Sequence, residues 1–472
     1  MFRPDPTGKK FGPLWFAPGI SGLNVITLLY AAWSTLGALT YMNFIQPYIL
    51  VEILNVSEED IGPLTGNLAA LQEVIVILLA GWAGAYSDDV GRRRMFVAGF
   101  ILLGAGYFIY PLTDDVFQLY IFRAIFAVGA AITPIMLSAC IVDYIQEVSR
   151  GRWIGLGSIF NGLGVFFMAG VLSQSPQWFQ DLGAAPDDAG RYALWVVTAF
   201  CLLSAVVLQL GLKGKEIDRN RERISIMRQI ADGITAGRNP RLALAYAAAF
   251  IGRGDLVVVG TFFSLWVVSA GAKIGMPTGQ AQGQAGLLFL IIQGSAMAWA
   301  FFMGMIADRV NRVSALVLAL SMAAIGYSLI GLSDNPFGWA MIPIYVFLGM
   351  GETSVVIAGG AVLGQEARTR PKISGSVVGV YGLLGGVGIF FATAVGGQIN
   401  TPEWRTAPFA MMGVLNALLA AVAVYVRVYH GTPPAGPDDA PAVQPEVVGG
   451  VIGQDAQGPQ GPPGSVRPGG RP

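Results

Sequence analysis

Residues 84–94 read GAYSDDVGRRR, and residues 304–313 read GMIADRVNRV. Set at an offset of 220, Gly84 falls on Gly304 and Asp88 on Asp308. A second echo lies further on, where GLGVFF at 162–167 matches GVGIFF at 386–391 at an offset of 224. Each basic loop separates two long apolar runs. Two matches at similar offsets, each in the corresponding run or loop, argue that the chain is a duplicated unit.

The apolar runs continue outward from those loops. Across 472 residues, 54% are hydrophobic and only 12% charged, with net charge zero and mean hydropathy +0.59. A soluble domain carries roughly 25% charged residues, so lipid is the expected solvent for most of this chain. Runs long enough to cross about 30 Å of hydrocarbon fall near 23–50, 61–85, 94–112, 117–145, 152–173, 191–212, 242–269, 284–306, 313–332, 338–364, 374–398 and 405–428. Backbone polar groups in lipid must be satisfied within the segment, so each run is predicted to be a helix. Their many Gly and Ala residues let helix backbones approach closely. The predicted fold is therefore an all-α integral membrane protein of about twelve transmembrane helices in two pseudo-symmetric six-helix bundles.

Basic residues orient the spans. With both termini cytoplasmic, 24 of the 29 Lys and Arg fall on the cytoplasmic side and only Arg191, Lys273 and Arg405 on the other. Arg123 and Arg253 remain inside spans. The predicted order is a cytoplasmic segment 1–20, a six-helix bundle 21–212, a cytoplasmic loop 213–241, a second bundle 242–428 and a Pro/Gly-rich disordered tail 429–472. Within the loop, Ile224, Ile226, Met227, Ile230 and Ile234 suggest a surface helix with one apolar stripe. The prolines of the N-terminal stretch interrupt any signal-peptide apolar core, so the first span is expected to be retained.

The loop Gly84, Asp88, Gly91, Arg92, Arg93 and Arg94 resembles the signature between the second and third helices of the major facilitator superfamily (MFS). It departs in having Asp89 where that family usually carries a basic residue. The second copy supplies Gly304, Asp308, Arg309 and Arg312, with Asn311 in the glycine position. The resemblance covers roughly residues 20–428. It implies that the two loop clusters latch the halves together on the cytoplasmic side. It also implies that the first, fourth, seventh and tenth helices line a central cavity. The fifth helix lacks the Gly-Pro pair usual in drug–proton antiporters of that family.

Ionisable groups at bilayer depth are costly and usually functional. Glu73 lies twelve residues past Ile61, roughly mid-membrane at about 1.5 Å per residue, and its repeat counterpart is Gln293. It is a candidate proton carrier, or else the partner in a fixed interhelical hydrogen bond. Arg253 and Asp255 sit in Gly252-Arg253-Gly254-Asp255 on the seventh span. Residues two apart do not share a helix face. Either the glycines let that helix unwind, or Arg253 pairs with a carboxylate on another helix, with Glu352 the natural choice. Arg123 on the fourth span is expected near the outer surface. Asn43 and Gln46, three apart on the first span, share a face and are candidate substrate contacts. Tyr345 and Tyr381 read as packing residues or interface anchors.

These features exclude several classes. No basic face exists for nucleic acid, the single His430 gives no metal cluster, and no phosphate-binding loop or catalytic constellation appears. No cofactor is expected. The function that fits is a monomeric secondary transporter in the inner or plasma membrane, moving a small solute by alternating access with proton coupling. An uncoupled facilitator and a non-transporting sensor or scaffold are the alternatives.

Overall fold

The computed structural model describes residues 7–214 and 226–431. The expectations for residues 1–6, for the basic residues between 215 and 223, for Ile224 and for the tail from 432 onward lie outside the described residues. Twelve helices among the described residues are long and apolar enough to cross a bilayer.

The first six crossings are α1 (Gly22–Glu52), α2 (Glu58–Val90), α3 (Arg92–Ile109), α4 (Val116–Tyr144), a composite fifth, and α7 (Pro186–Gly211). The fifth runs from α5 (Glu147–Val165) through a π-helical turn (Phe166–Val171) and a short 3-10 turn into α6 (Ser175–Asp181). It is longer and less regular than its apolar run implies. After α8 (Ile226–Ala236) come α9 (Pro240–Lys273), α10 (Thr278–Arg309), α11 (Arg312–Gly331), α12 (Met341–Arg368), α13 (Ser374–Ile399) and α14 (Ala407–Tyr429).

The packing repeats as the sequence does. In the first half α1 packs on α5 and α7, α2 on α4, and α3 on α4 and α7. In the second half α9 packs on α13 and α14, α10 on α12, and α11 on α12 and α14. Between the halves, α2 meets α13 and the π-turn meets α10, two contacts related by the same pseudo-symmetry.

Glycine makes these approaches possible. A Cβ at Gly164 would lie 1.8 Å from the Trp33 carbonyl oxygen, so α5 and α1 touch backbone to backbone there. Between α2 and α3 the chain turns through Gly91 at φ +104°, a conformation that costs a side-chain-bearing residue. The corresponding Asn311 instead caps α11, accepting from the amides of Val313 and Ser314 at 3.0 and 3.4 Å. An N-cap side chain thus does the work that glycine does in the first copy.

One expectation needs correction, and two elements add to what the sequence implied. The α9 helix does not unwind at its glycines. Gly252 packs on Val355 and Gly254 on Met412 and Ala392, so the missing side chains serve close packing. The N-terminal segment contains a β-hairpin, β1 (Lys9–Phe11) and β2 (Leu14–Phe16), too short to register as apolar alternation. It docks where α4 joins α5: Ala17 N donates to Tyr144 O at 2.9 Å, Trp15 N to Ser149 Oγ at 2.8 Å, and the buried Phe16 ring meets Trp153 edge-on at 6.0 Å. Finally, α8 packs through Gln229 and Gly233, with Tyr246 Oη donating to Gly233 O at 2.9 Å. That leaves Ile234 exposed.

The glycine contacts predict a graded response. Gly164→Ala forces α5 off α1 and should lower stability by about 1–3 kcal/mol, the usual range for overpacking. Gly155→Ala, on the same helix but with nothing within 4 Å, should be neutral or slightly stabilising. Thermal unfolding of the two purified variants side by side reads the difference.

Candidate functional site

Adjacent spans run in opposite directions, so the molecule has a basic end, bearing the loops around 91, 146, 213, 238, 310 and 370, and an opposite end. The halves meet along the opposite end. A Cβ at Gly62 would lie 2.2 Å from the Asn400 carbonyl oxygen, and one at Gly66 2.4 Å from that of Thr393. Gln398 Nε2 donates to Asn67 Oδ1 at 3.2 Å, and Gln282 Nε2 to the Phe44 carbonyl at 3.0 Å. The Phe44 and Phe289 rings lie 4.9 Å apart, and Gly170 and Gly286 bring the fifth crossing against α10. Arg405 Nη2 donates to the Glu58 carbonyl at 2.6 Å across the outermost layer. Burial pushes the Arg405 pKa down, while the carboxylates of Glu58 and Glu403 act the other way. Gly155, Gly294 and Gly304, and Gly260 on α9, have open space beside them.

Glu73 sits where this seam ends. It is 9% exposed, and its Oε1 lies 3.0 Å from where a Cβ on Gly386 of α13 would stand. Its main charged neighbour is Arg253 of α9. The Arg253 stem lies over Gly385, and the guanidinium also faces Tyr381. A carboxylate of one half thus lies near a cation of the other, about halfway along the spans. Tyr381, which reads from sequence as a packing or anchor residue, belongs to this junction.

Arg253 does not pair with Glu352. Because α9 stays regular, Asp255 points away from Arg253 into the second half. Asp255 is wholly buried and accepts from Asn416 Nδ2 at 2.9 and 3.1 Å. Glu352, 1% exposed, accepts a long bond from Gln293 Nε2 at 3.5 Å and lies within Coulombic reach of Asp255. Tyr327 is close to both carboxyls. Neither Asn416 nor Tyr327 stands out in the sequence, although Asn416 is the sole polar side chain in an otherwise apolar stretch of the last span.

A third polar group lies within the first half. Arg123 is nearer the opposite end and wholly buried. Its guanidinium donates to Asn43 Oδ1 and lies over the rings of Phe126 and Tyr110, 5.4 and 6.0 Å from their centroids. Gln46 accepts from Tyr110 Oη at 3.2 Å and donates to the Thr65 carbonyl at 3.4 Å. Asn43 and Gln46 therefore share a cluster with Arg123.

At the basic end, Arg92 gathers the first signature loop. It pairs with Asp88 at 2.6 Å and Asp143 at 3.2 Å, and donates to the Gly84 carbonyl and to Ser87. Arg93 reaches the Leu212 carbonyl at 3.5 Å, while Arg94 is exposed. These bonds tie α2, α3, α4 and the end of α7 within one half. In the second copy Arg312 is buried and Asp308 and Arg309 are exposed.

Known proteins are similar to this chain. Magnetosome protein MamZ of Magnetospirillum gryphiswaldense is 28% identical over 439 residues, covering 88% of this chain and 63% of that protein. Magnetosome protein MamH of Paramagnetospirillum magneticum is 27% identical over 415 residues, covering 85% of this chain and 92% of its own length. The crystal structure of the nucleoside transporter NupG superposes with TM-score 0.67 over 87% of this chain and all of its own, at 12% identity, a likeness of fold. The family profile described as Major Facilitator Superfamily matches residues 25–393 and 278–455. With twelve membrane-spanning helices in two matched bundles, this chain is a multi-pass membrane protein and belongs to the Major Facilitator Superfamily.

Proposed function

We propose that the protein is a proton-coupled secondary transporter of a small solute, working by alternating access in the cytoplasmic membrane. The observation that carries the reading is the one-ended seam. The halves are closed on each other at the opposite end, where Asn67–Gln398, Phe44–Gln282 and Glu58–Arg405 bond across. The excess of Lys and Arg assigns the basic end to the cytoplasm, which makes this the inward-open state. Rocking the halves about the midplane would open the Asn67–Gln398 layer and bring the two signature loops together.

Roles follow from position. Glu73 and Arg253 face each other across the halves, so protonating Glu73 weakens an attraction that differs between the two states. That differential is what lets a proton bias a conformational equilibrium. Asn43, Gln46 and Arg123 line the first half's polar cluster, where a solute's hydrogen-bonding groups would be met. In the latch, Asp88 and Arg92 to Arg94, braced by Gly84 and Gly91, would meet Asp308, Arg309 and Arg312, beside Gly304, when the basic end closes.

Two experiments test this. A short thiol cross-link between Asn67→Cys and Gln398→Cys should form readily in the resting protein, because the native side chains touch there. The locked protein should lose at least tenfold in proteoliposome flux and regain it on reduction. Undiminished flux in the locked protein would defeat alternating access. The wild-type Cys140 and Cys201 are buried and give little background.

Glu73→Gln tests the coupling, using a solute identified by thermal stabilisation of the purified protein. One charge moved through 100 mV is worth about 2.3 kcal/mol, a roughly 50-fold gradient. Wild type should approach that accumulation under an imposed proton gradient. E73Q should only equilibrate the solute, with exchange of labelled for unlabelled solute intact. Unchanged accumulation would leave the facilitator reading in place.

A further inference from the structure

The carboxyls of Asp255 and Glu352 stand behind the seam, inside the second half, where the gating pair does not reach. They come from α9 and α12. Tyr327 of α11 and Asn416 of α14 close the space, and the half-buried Gln293 of α10 borders it. Asp255, Asn416 and Tyr327 are fully buried and Glu352 is 1% exposed. Among the described residues no cation compensates the two acids: Arg253, two residues before Asp255, reaches across α13 toward Glu73 and Tyr381 instead.

The hydrogen bonding is incomplete in a specific way. Asp255 is well served by the Asn416 amide on both oxygens. Glu352 has only the long Gln293 contact on Oε1, and its Oε2 has no partner. The Tyr327 hydroxyl faces Glu352 yet makes no aligned hydrogen bond, and the outer oxygen of Asn416 is also unpartnered. A buried acceptor without a donor is costly, and a buried unpaired charge more so. Two ionised carboxylates with these surroundings would be a standing electrostatic penalty.

We propose that Asp255, Tyr327 and Glu352 form a proton-holding relay in which Glu352 carries one exchangeable proton. The proton comes from cavity water by way of the half-buried Gln293 position, whose neighbour Gly294 faces open space. On protonation, Glu352 Oε2–H donates to Tyr327 Oη, and Tyr327 O–H donates to Asp255. Every orphan among the three is then satisfied, and only Asp255 keeps a charge, stabilised by Asn416. Release runs in reverse: the O–H bond of Glu352 breaks, the electron pair stays on the carboxylate, and the proton returns to water. This deepens the proton-coupled reading above, on which it rests for its purpose in transport.

Infrared spectroscopy of the purified full chain in lipid nanodiscs tests it with the proton itself as probe. Near neutral pH the wild type should show the C=O stretch of a protonated carboxyl in a dry environment. One component of that band should vanish in Glu352→Gln, shift in frequency in Tyr327→Phe as its hydrogen-bond partner is removed, and persist in Glu73→Gln. A band wholly lost in E73Q and unchanged in E352Q would overturn the proposal. So would loss of the Glu352 component on exchanging choline for sodium at fixed pH, since the occupant would then be a metal cation. The result is separable from the transport reading. A Glu352 component present in protein whose flux ignores the proton gradient would refute coupled transport and leave the proton site standing.

Discussion

Charge at the depth of a lipid bilayer must find a counter-charge, a proton or water, and this protein uses a different solution for each of its buried acids. Glu73 faces a cation that belongs to the other half. Asp255 is held by an amide. Glu352 is left with unfilled bonding capacity. The cost of an unpaired ion in such surroundings is several kcal/mol even after relaxation, far above the fractions of a kcal/mol that single helix contacts supply. The positions of these acids therefore constrain how the twelve helices can be arranged and moved more strongly than apolar packing does.

Small residues meet that constraint. In a membrane there is no hydrophobic drive between helices, so association relies on close packing and interhelical hydrogen bonds. Gly388 illustrates the scale: a Cβ there would lie 2.0 Å from the Phe250 carbonyl oxygen. Such contacts seat α9 on α13 closely enough that successive residues of α9 serve different neighbours. Arg253 faces the first half while Asp255 faces α14. A helix loosened at Gly252 and Gly254 would lose that division. The same economy appears between the halves, where Gly62 and Gly66 let α2 lie directly on α13.

The fold was largely legible because it rests on signals that do not depend on tertiary context: span length, basic bias and a repeated loop. The site was legible only in part. Glu73, Arg253, Asp255, Glu352 and Arg123 announce themselves as charges in apolar runs, but their partners do not. Helical periodicity says that Arg253 and Asp255 diverge and cannot say toward what, so the sequence suggested an Arg253–Glu352 pair that packing does not make. Tyr327 and Asn416 are ordinary residues whose importance comes from four helices converging. The N-terminal hairpin was invisible for another reason: its three-residue strands are held by Tyr144, Ser149 and Trp153, more than a hundred residues away.

The placement of the acids also bears on how two protonation events would differ. Glu73 lies at the contact between the halves, so in the proposed rocking motion its partner Arg253 would move relative to it. Asp255, Tyr327 and Glu352 all belong to one half and keep their mutual geometry through a rigid-body motion. In the proposed cycle a proton on Glu73 would therefore change the balance between conformations directly. A proton on Glu352 would change it only through what α10 and α12 present to solute or water in each state. Coupling through the first would be mechanical and through the second by differential access, and only the second would require that Gln293 alternate between wet and dry as the halves exchange sides.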